Sequence, residues 1–252
     1  MAIARLSARE GIEVLDRALV LSLRHFWMLL RIALIPFLLY ALFIRIYARS
    51  ILGFTIRYSA FTLAYWCLTI AFGMVILGAW EAANGRAIDV TAIWVRVVRR
   101  GPSLMVASLL KVIGIFAGTL LLVIPGIYAA VFWFAVPGVH LIENLGAFAG
   151  LRRCAQLAKG SFEGVFCSLG LVYILSDLVQ QGLSLGSHAL GVRPGTLPLV
   201  STSFALHFAL LPMQGATGAL VYLELLNKKE GYDLQTKLAA LPDPAASMPD
   251  SL

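Results

Sequence analysis

The chain is short of charge. Only 13% of its residues are Asp, Glu, Lys or Arg, about half the usual share of a soluble domain. Cysteine is nearly missing as well: Cys67, Cys154 and Cys167 are odd in number and lack CxxC spacing, which argues against a disulfide framework and a zinc site. The four histidines form no HExxH, and no GxSxG, P-loop or GxGxxG is present. No catalytic residue, cofactor site or metal set is expected. The balance is basic, with a net charge of +7, but the basic residues flank apolar blocks rather than interleave with aromatics on a polar domain. Nucleic-acid binding is therefore not indicated.

Apolar sequence is abundant. Hydrophobic residues make up 60% of the chain and fall in blocks close to the roughly 20 residues that a membrane-crossing helix needs. The expectation is an all-α bundle of six transmembrane helices, at about 26–48, 60–80, 103–124, 127–142, 162–183 and 199–226. Three basic amphipathic segments, about 7–24, 88–100 and 146–160, read as helices lying at the membrane surface. Ser7 and Glu10 have capping-box spacing at the start of the first, and Gly101-Pro102 reads as the end of the second. Pro125-Gly126 reads as a hairpin turn between the third and fourth spans. The connections 49–59 and 186–198 read as loops. Residues 1–231 form the membrane domain, 232–252 a cytoplasmic tail, and the Pro- and Ser-rich stretch from about 242 a disordered end. The N-terminal residues lack the pattern of a cleaved signal peptide, so the first span is expected to direct insertion.

The cations fix an expected orientation. Fourteen of the twenty Lys and Arg residues fall in the N-terminal segment, the connections after spans two and four, and the segment after span six. Only Arg45, Arg49, Arg57 and Arg193 fall on the other side. The positive-inside rule then places both termini in the cytoplasm of a cell-membrane protein. The surface segments also repeat a plan: Ile12–His25, Ile88–Gly101 and Ala147–Gly160 each lead into a hairpin. The hairpins exit through Glu81 with Asn84-Gly85, Glu143 with Asn144, and Glu224 with Asn227. A threefold repeat of surface helix plus hairpin is the expectation; helix ends that simply favour Asn and Gly are the plainer account.

Few polar side chains lie inside the spans. Asp177, Gln180 and Gln181 share one face of the fifth span, with His207 at similar depth in the sixth as a partner for Asp177. They mark either an intramembrane site or a patch that pins helices together. Lys111 in the third span reads as snorkelling to the membrane edge or contacting a substrate. His140 and Glu143 share a face as two metal ligands at most, or as helix-end hydrogen-bonding groups. Gln214, Gly215 and Gly218 suggest close helix packing. At the basic surface Arg17, Arg24, Arg96, Arg99, Arg100, Arg152, Arg153 and Lys159 are expected to contact anionic headgroups.

The pieces VIPGIYAAVFWFAVPGVHLIEN, GLRRCAQLAKGSF and VYLELLNKKEGYDL together resemble the membrane domain attached to some glycerophosphoryl diester phosphodiesterases, and related six-span bacterial membrane proteins. The matching positions are Ile124-Pro125-Gly126, Glu143, Lys159-Gly160 and Glu230-Gly231. The resemblance implies the six-span fold. It does not bring the enzyme, because a phosphodiesterase barrel would need roughly 250 further residues. The expected function is a non-catalytic membrane organiser that binds lipids, a protein partner or a second copy of itself. A solute or lipid transporter using the polar residues between repeats is the alternative, and a membrane-embedded lipid enzyme ranks behind both.

Overall fold

Helix is the only regular structure among the described residues, which in this computed structural model are 6–49, 54–189 and 197–231. The elements are α1 (Ala8–Arg24), α2 (Phe26–Arg49), α3 (Phe54–Ala83), α4 (Val90–Leu121), α5 (Val123–Phe132), α6 (Val136–Ile142), α7 (Ala147–Ala158), α8 (Phe162–Ala189) and α9 (Leu197–Glu230). Six helical stretches, counting α5 and α6 as one, are long and apolar enough to cross a membrane. The chain is a multi-pass membrane protein with the expected all-α six-span bundle. The tail 232–252 lies outside the described residues.

The spans are apolar all round, as a helix must be when one face meets protein and the other lipid. In α2, Leu29, Ile32, Ala33 and Phe37 are buried while Leu34, Ile35, Leu38 and Leu42 are exposed. The buried sides meet around α3, whose residues 73–80 are all buried. Met74 and Leu77 pack with Ile32, Leu104 and Leu141, and α9 lies against α3 where a glycine allows it. A Cβ on Gly215 would fall 2.4 Å from Val75.

The first amphipathic segment turns part of its apolar side outward. The Ser7–Glu10 capping box forms as expected, but Val14, Ala18 and Ser22 are the buried side of α1, and Ile12 and Leu23 are exposed. The small side chains let α1 approach α8, where a Cβ on Gly11 would stand 2.4 Å from the carbonyl oxygen of Gly164. The large apolar ones are left for the surroundings.

Several expected boundaries move. Gly101-Pro102 does not end the helix over 88–100; α4 runs unbroken into the expected span 103–124. One continuous buried stripe, Ile93, Val97, Gly101, Leu104 and Ala107, outweighs the one backbone N–H that Pro102 lacks. The hairpin turns at Leu122, which is extended (φ −167°), and Pro125-Gly126 fall in the first turn of α5, where proline is tolerated. A Cβ on Gly126 would meet Thr119 Oγ1 at 2.1 Å, so this glycine is needed for close approach. The span expected at 127–142 is broken between Phe132 and Val136, with Pro137 in the first turn of α6. The loops expected at 49–59 and 186–198 shrink, because α3 starts at Phe54, α8 reaches Ala189 and α9 starts at Leu197. Similarly, α9 continues beyond 226 to Glu230.

Candidate functional site

The helices leave a cleft between α4 and α8. Helix α4 packs on α3, α5, α6 and α7, whereas α8 packs on α1, α5 and α9. The space between them holds a cavity of about 790 Å³, inside the size range of small-molecule sites. Lys111, Asp177, Gln180, Gln181 and His207 all line it. Five polar residues chosen from three different spans therefore meet in one place. Lys111 is ten residues from the end of α4, His207 ten from the start of α9, and Asp177 twelve from the end of α8. At 1.5 Å per residue each lies about 15–18 Å from the same end of the bundle, near the middle of a bilayer core.

The walls follow helical spacing. On α8, Tyr173, Ser176, Asp177 and Gln180 stand at i, i+3, i+4 and i+7; on α3, Tyr65, Leu68, Thr69 and Phe72 repeat that spacing. His207 does not pair with Asp177 as expected. Instead Gln180 Nε2 donates to His207 Nδ1 at 3.0 Å, and the imidazole stacks on Phe37 with ring centres 5.9 Å apart. Gln214 Nε2 donates to Ser176 Oγ (3.1 Å), and that hydroxyl donates to the Val172 carbonyl (2.8 Å). Lys111 and Asp177 have no ion-pair partner among the described residues. Ser108, one turn before Lys111, is 1% exposed, and its Oγ has no hydrogen-bond partner.

At the other end of the bundle several charges are paired. Arg153 on α7 donates from Nε to both oxygens of Glu143, at 3.1 and 3.0 Å, and from Nη2 to Glu230 at 2.7 Å. The Tyr222 hydroxyl donates to Glu143 as well. The two carboxylates, Glu230 foremost through its hydrogen bonds, raise the Arg153 pKa. Cys154 beside it is buried, which pushes its thiol up to about 12. Each hairpin exit repeats the pairing: Glu81 meets Arg96 (3.8 Å), Glu143 meets Arg153 (3.0 Å) and Glu224 meets Arg17 (3.4 Å). In the third case the partner lies on α1, so the last exit closes on the first helix. Lys228 on α9 also reaches Glu10, and that hydrogen bond, ahead of those from Ser7, holds the Glu10 carboxyl at about 2.

The expected headgroup cations therefore divide. Arg17, Arg96 and Arg153 are engaged by carboxylates, and Arg100 Nη1 donates to the Asn144 carbonyl at 3.1 Å. Arg24, Arg99, Arg152 and Lys159 are exposed. Arg96, Arg99 and Arg100 share a groove with Asn144, which adopts φ 56° where its helix ends. His140 is fully buried with neither ring nitrogen bonded, and Glu143 is taken by Arg153 and Tyr222. Among the described residues no three metal-ligating side chains gather.

Sequence reading missed Ser108 and the tyrosines of the cleft. Ser108 precedes Lys111 by one helical turn and Tyr173 precedes Asp177 by one, so a search along the helix face from each charge would have found both. No protein-family model, no curated protein and no solved structure matches the chain.

Proposed function

We propose that this multi-pass protein is a non-catalytic component of the cytoplasmic membrane, with both termini on the cytoplasmic side, that binds an amphiphile in the cleft between α4 and α8. One observation carries the reading: polar groups from α3, α4, α8 and α9 converge at mid-bilayer depth on a single cavity. Polar groups are costly to keep in hydrocarbon; two separate helix-pinning patches would leave no shared space between them. Leu68, Phe72 and Leu211 in the same lining suit an alkyl chain, so a ligand with a polar head and an apolar tail matches both surfaces. The test is photolabelling. A photoactivatable dodecyl amphiphile added to purified protein in neutral detergent is expected to label peptides of α4 and α8, and Gln214→Trp, which fills the cavity, is expected to block it. Labelling spread evenly over all exposed spans would overturn the reading.

A second role in organising lipid has its own support in the exposed cations at the basic end. Arg24, Arg99, Arg152 and Lys159 would each gain about 1 kcal/mol from an anionic surface. Replacing Arg24, Arg99 and Arg152 together by Gln is expected to reduce the protein's enrichment among anionic lipids in mixed vesicles. Unchanged enrichment counts against this role.

A further inference from the structure

The cleft's own chemistry indicates the sign of its ligand. Lys111 lines the cavity without a carboxylate within ion-pair distance among the described residues. An ammonium at this depth needs a counter-charge, and Asp177 across the cleft does not supply one directly. Ser108 adds a second free donor on the same helix face: it is buried, lines the same cavity and has an unbonded hydroxyl oxygen. Several of the other polar groups are less free. Gln180, Gln214 and Ser176 are bound within the protein, and the Thr69 hydroxyl donates to the Tyr65 carbonyl at 2.9 Å. Two unused donors one turn apart are the complement of an oxyanion that accepts more than one hydrogen bond.

We infer that the cleft takes an anionic head, a phosphate or carboxylate oxyanion, held by Lys111 and Ser108. This rests on the cleft being a binding site at all. Helices α4 and α8 both present large apolar side chains outward, Ile113 and Phe116 on one and Ile174 and Leu178 on the other. A lipid-borne anion can therefore keep its chain in the bilayer while its head reaches Lys111. Asp177 opposes the same anion, so the two charges should affect binding in opposite directions. A merely structural polar patch would give no such split.

The experiment measures competition against photoactivatable dodecyl phosphate on the full chain in neutral detergent. Dodecyl phosphate is expected to compete and dodecyltrimethylammonium not to. Lys111→Met should weaken binding about tenfold or more while raising the melting temperature of the unliganded protein, because an uncompensated charge is removed. Lys111→Arg should retain most of the binding, Ser108→Ala should lose part of it, and Asp177→Asn should tighten it. If the cationic competitor works as well as the anionic one, or Lys111→Met binds normally, the anion assignment is wrong while the cleft stands. If no amphiphile labels α4 and α8, cleft and assignment fall together. Inorganic phosphate competing as strongly as dodecyl phosphate would make the ligand a free anion and overturn the lipid-borne form.

Discussion

Two polar clusters of similar make-up sit in this bundle, and they are built on opposite rules. At the basic end an arginine lies between two glutamates, with a tyrosine on one of them. In the cleft a lysine and an aspartate face one cavity without touching any opposite charge among the described residues. The first cluster ties α6, α7 and α9 together, and its groups satisfy one another. The second leaves its strongest donor open where desolvation is hardest to bear. Satisfied groups hold the fold; the open ones are available to something outside it.

The comparison can be broken most severely at Arg153. Losing one partner of a buried ion pair costs about 3–5 kcal/mol. With this side chain 25% exposed, Arg153→Met is expected to cost about 2 kcal/mol, read as a lower midpoint in denaturant. Asp177→Asn in the cleft should stay within about 0.5 kcal/mol of the original in the same assay. Equal losses from the two substitutions would erase the distinction.

Cys154 sharpens it next. Its burial and raised pKa predict negligible reaction with a water-soluble maleimide at neutral pH. Arg153→Met should open the site to labelling and Asp177→Asn should not, as mass spectrometry of the labelled peptide would show.

The smallest expected effect is that of pH on the Glu10–Lys228 pair. A carboxyl at about 2 when folded, against an ordinary 4.5, adds stability that is complete above about 4.5 and fades as the pH falls towards 2. Because the Glu10 side chain is 41% exposed, the contribution is at most about 1 kcal/mol. Melting temperatures of the original and Glu10→Gln proteins should converge over that interval and differ above it.

How much of this could be read beforehand depends on what kind of signal each feature left. Span number, the capping box at Ser7 and the polar set on α8 were legible because apolar length, cap chemistry and i, i+3, i+4 spacing are local. The fusion of the amphipathic segment with the third span across Gly101-Pro102 was not legible, since only the packed helix reveals that Val97, Gly101 and Leu104 belong to one buried stripe. Lys111 was visible, but its choice between the membrane edge and the cavity depended on α8 standing away from α4. The fate of Arg153 was out of reach for a related reason. Its partner Glu230 lies 77 positions further along the chain, and no local pattern distinguishes a cation destined for lipid from one destined for glutamate.

The contact between Arg17 and Glu224 spans 207 positions, and it imposes a timetable on a chain made from one end. At a synthesis rate of about 5–20 residues per second, roughly 10–40 s separate the appearance of the two side chains. Gly164, the seat for Gly11, also emerges long after α1 has left the ribosome. Until then the first helix lacks its two main partners, α8 and α9, and exposed Ile12, Val20 and Leu23 give it the lipid surface as a waiting place.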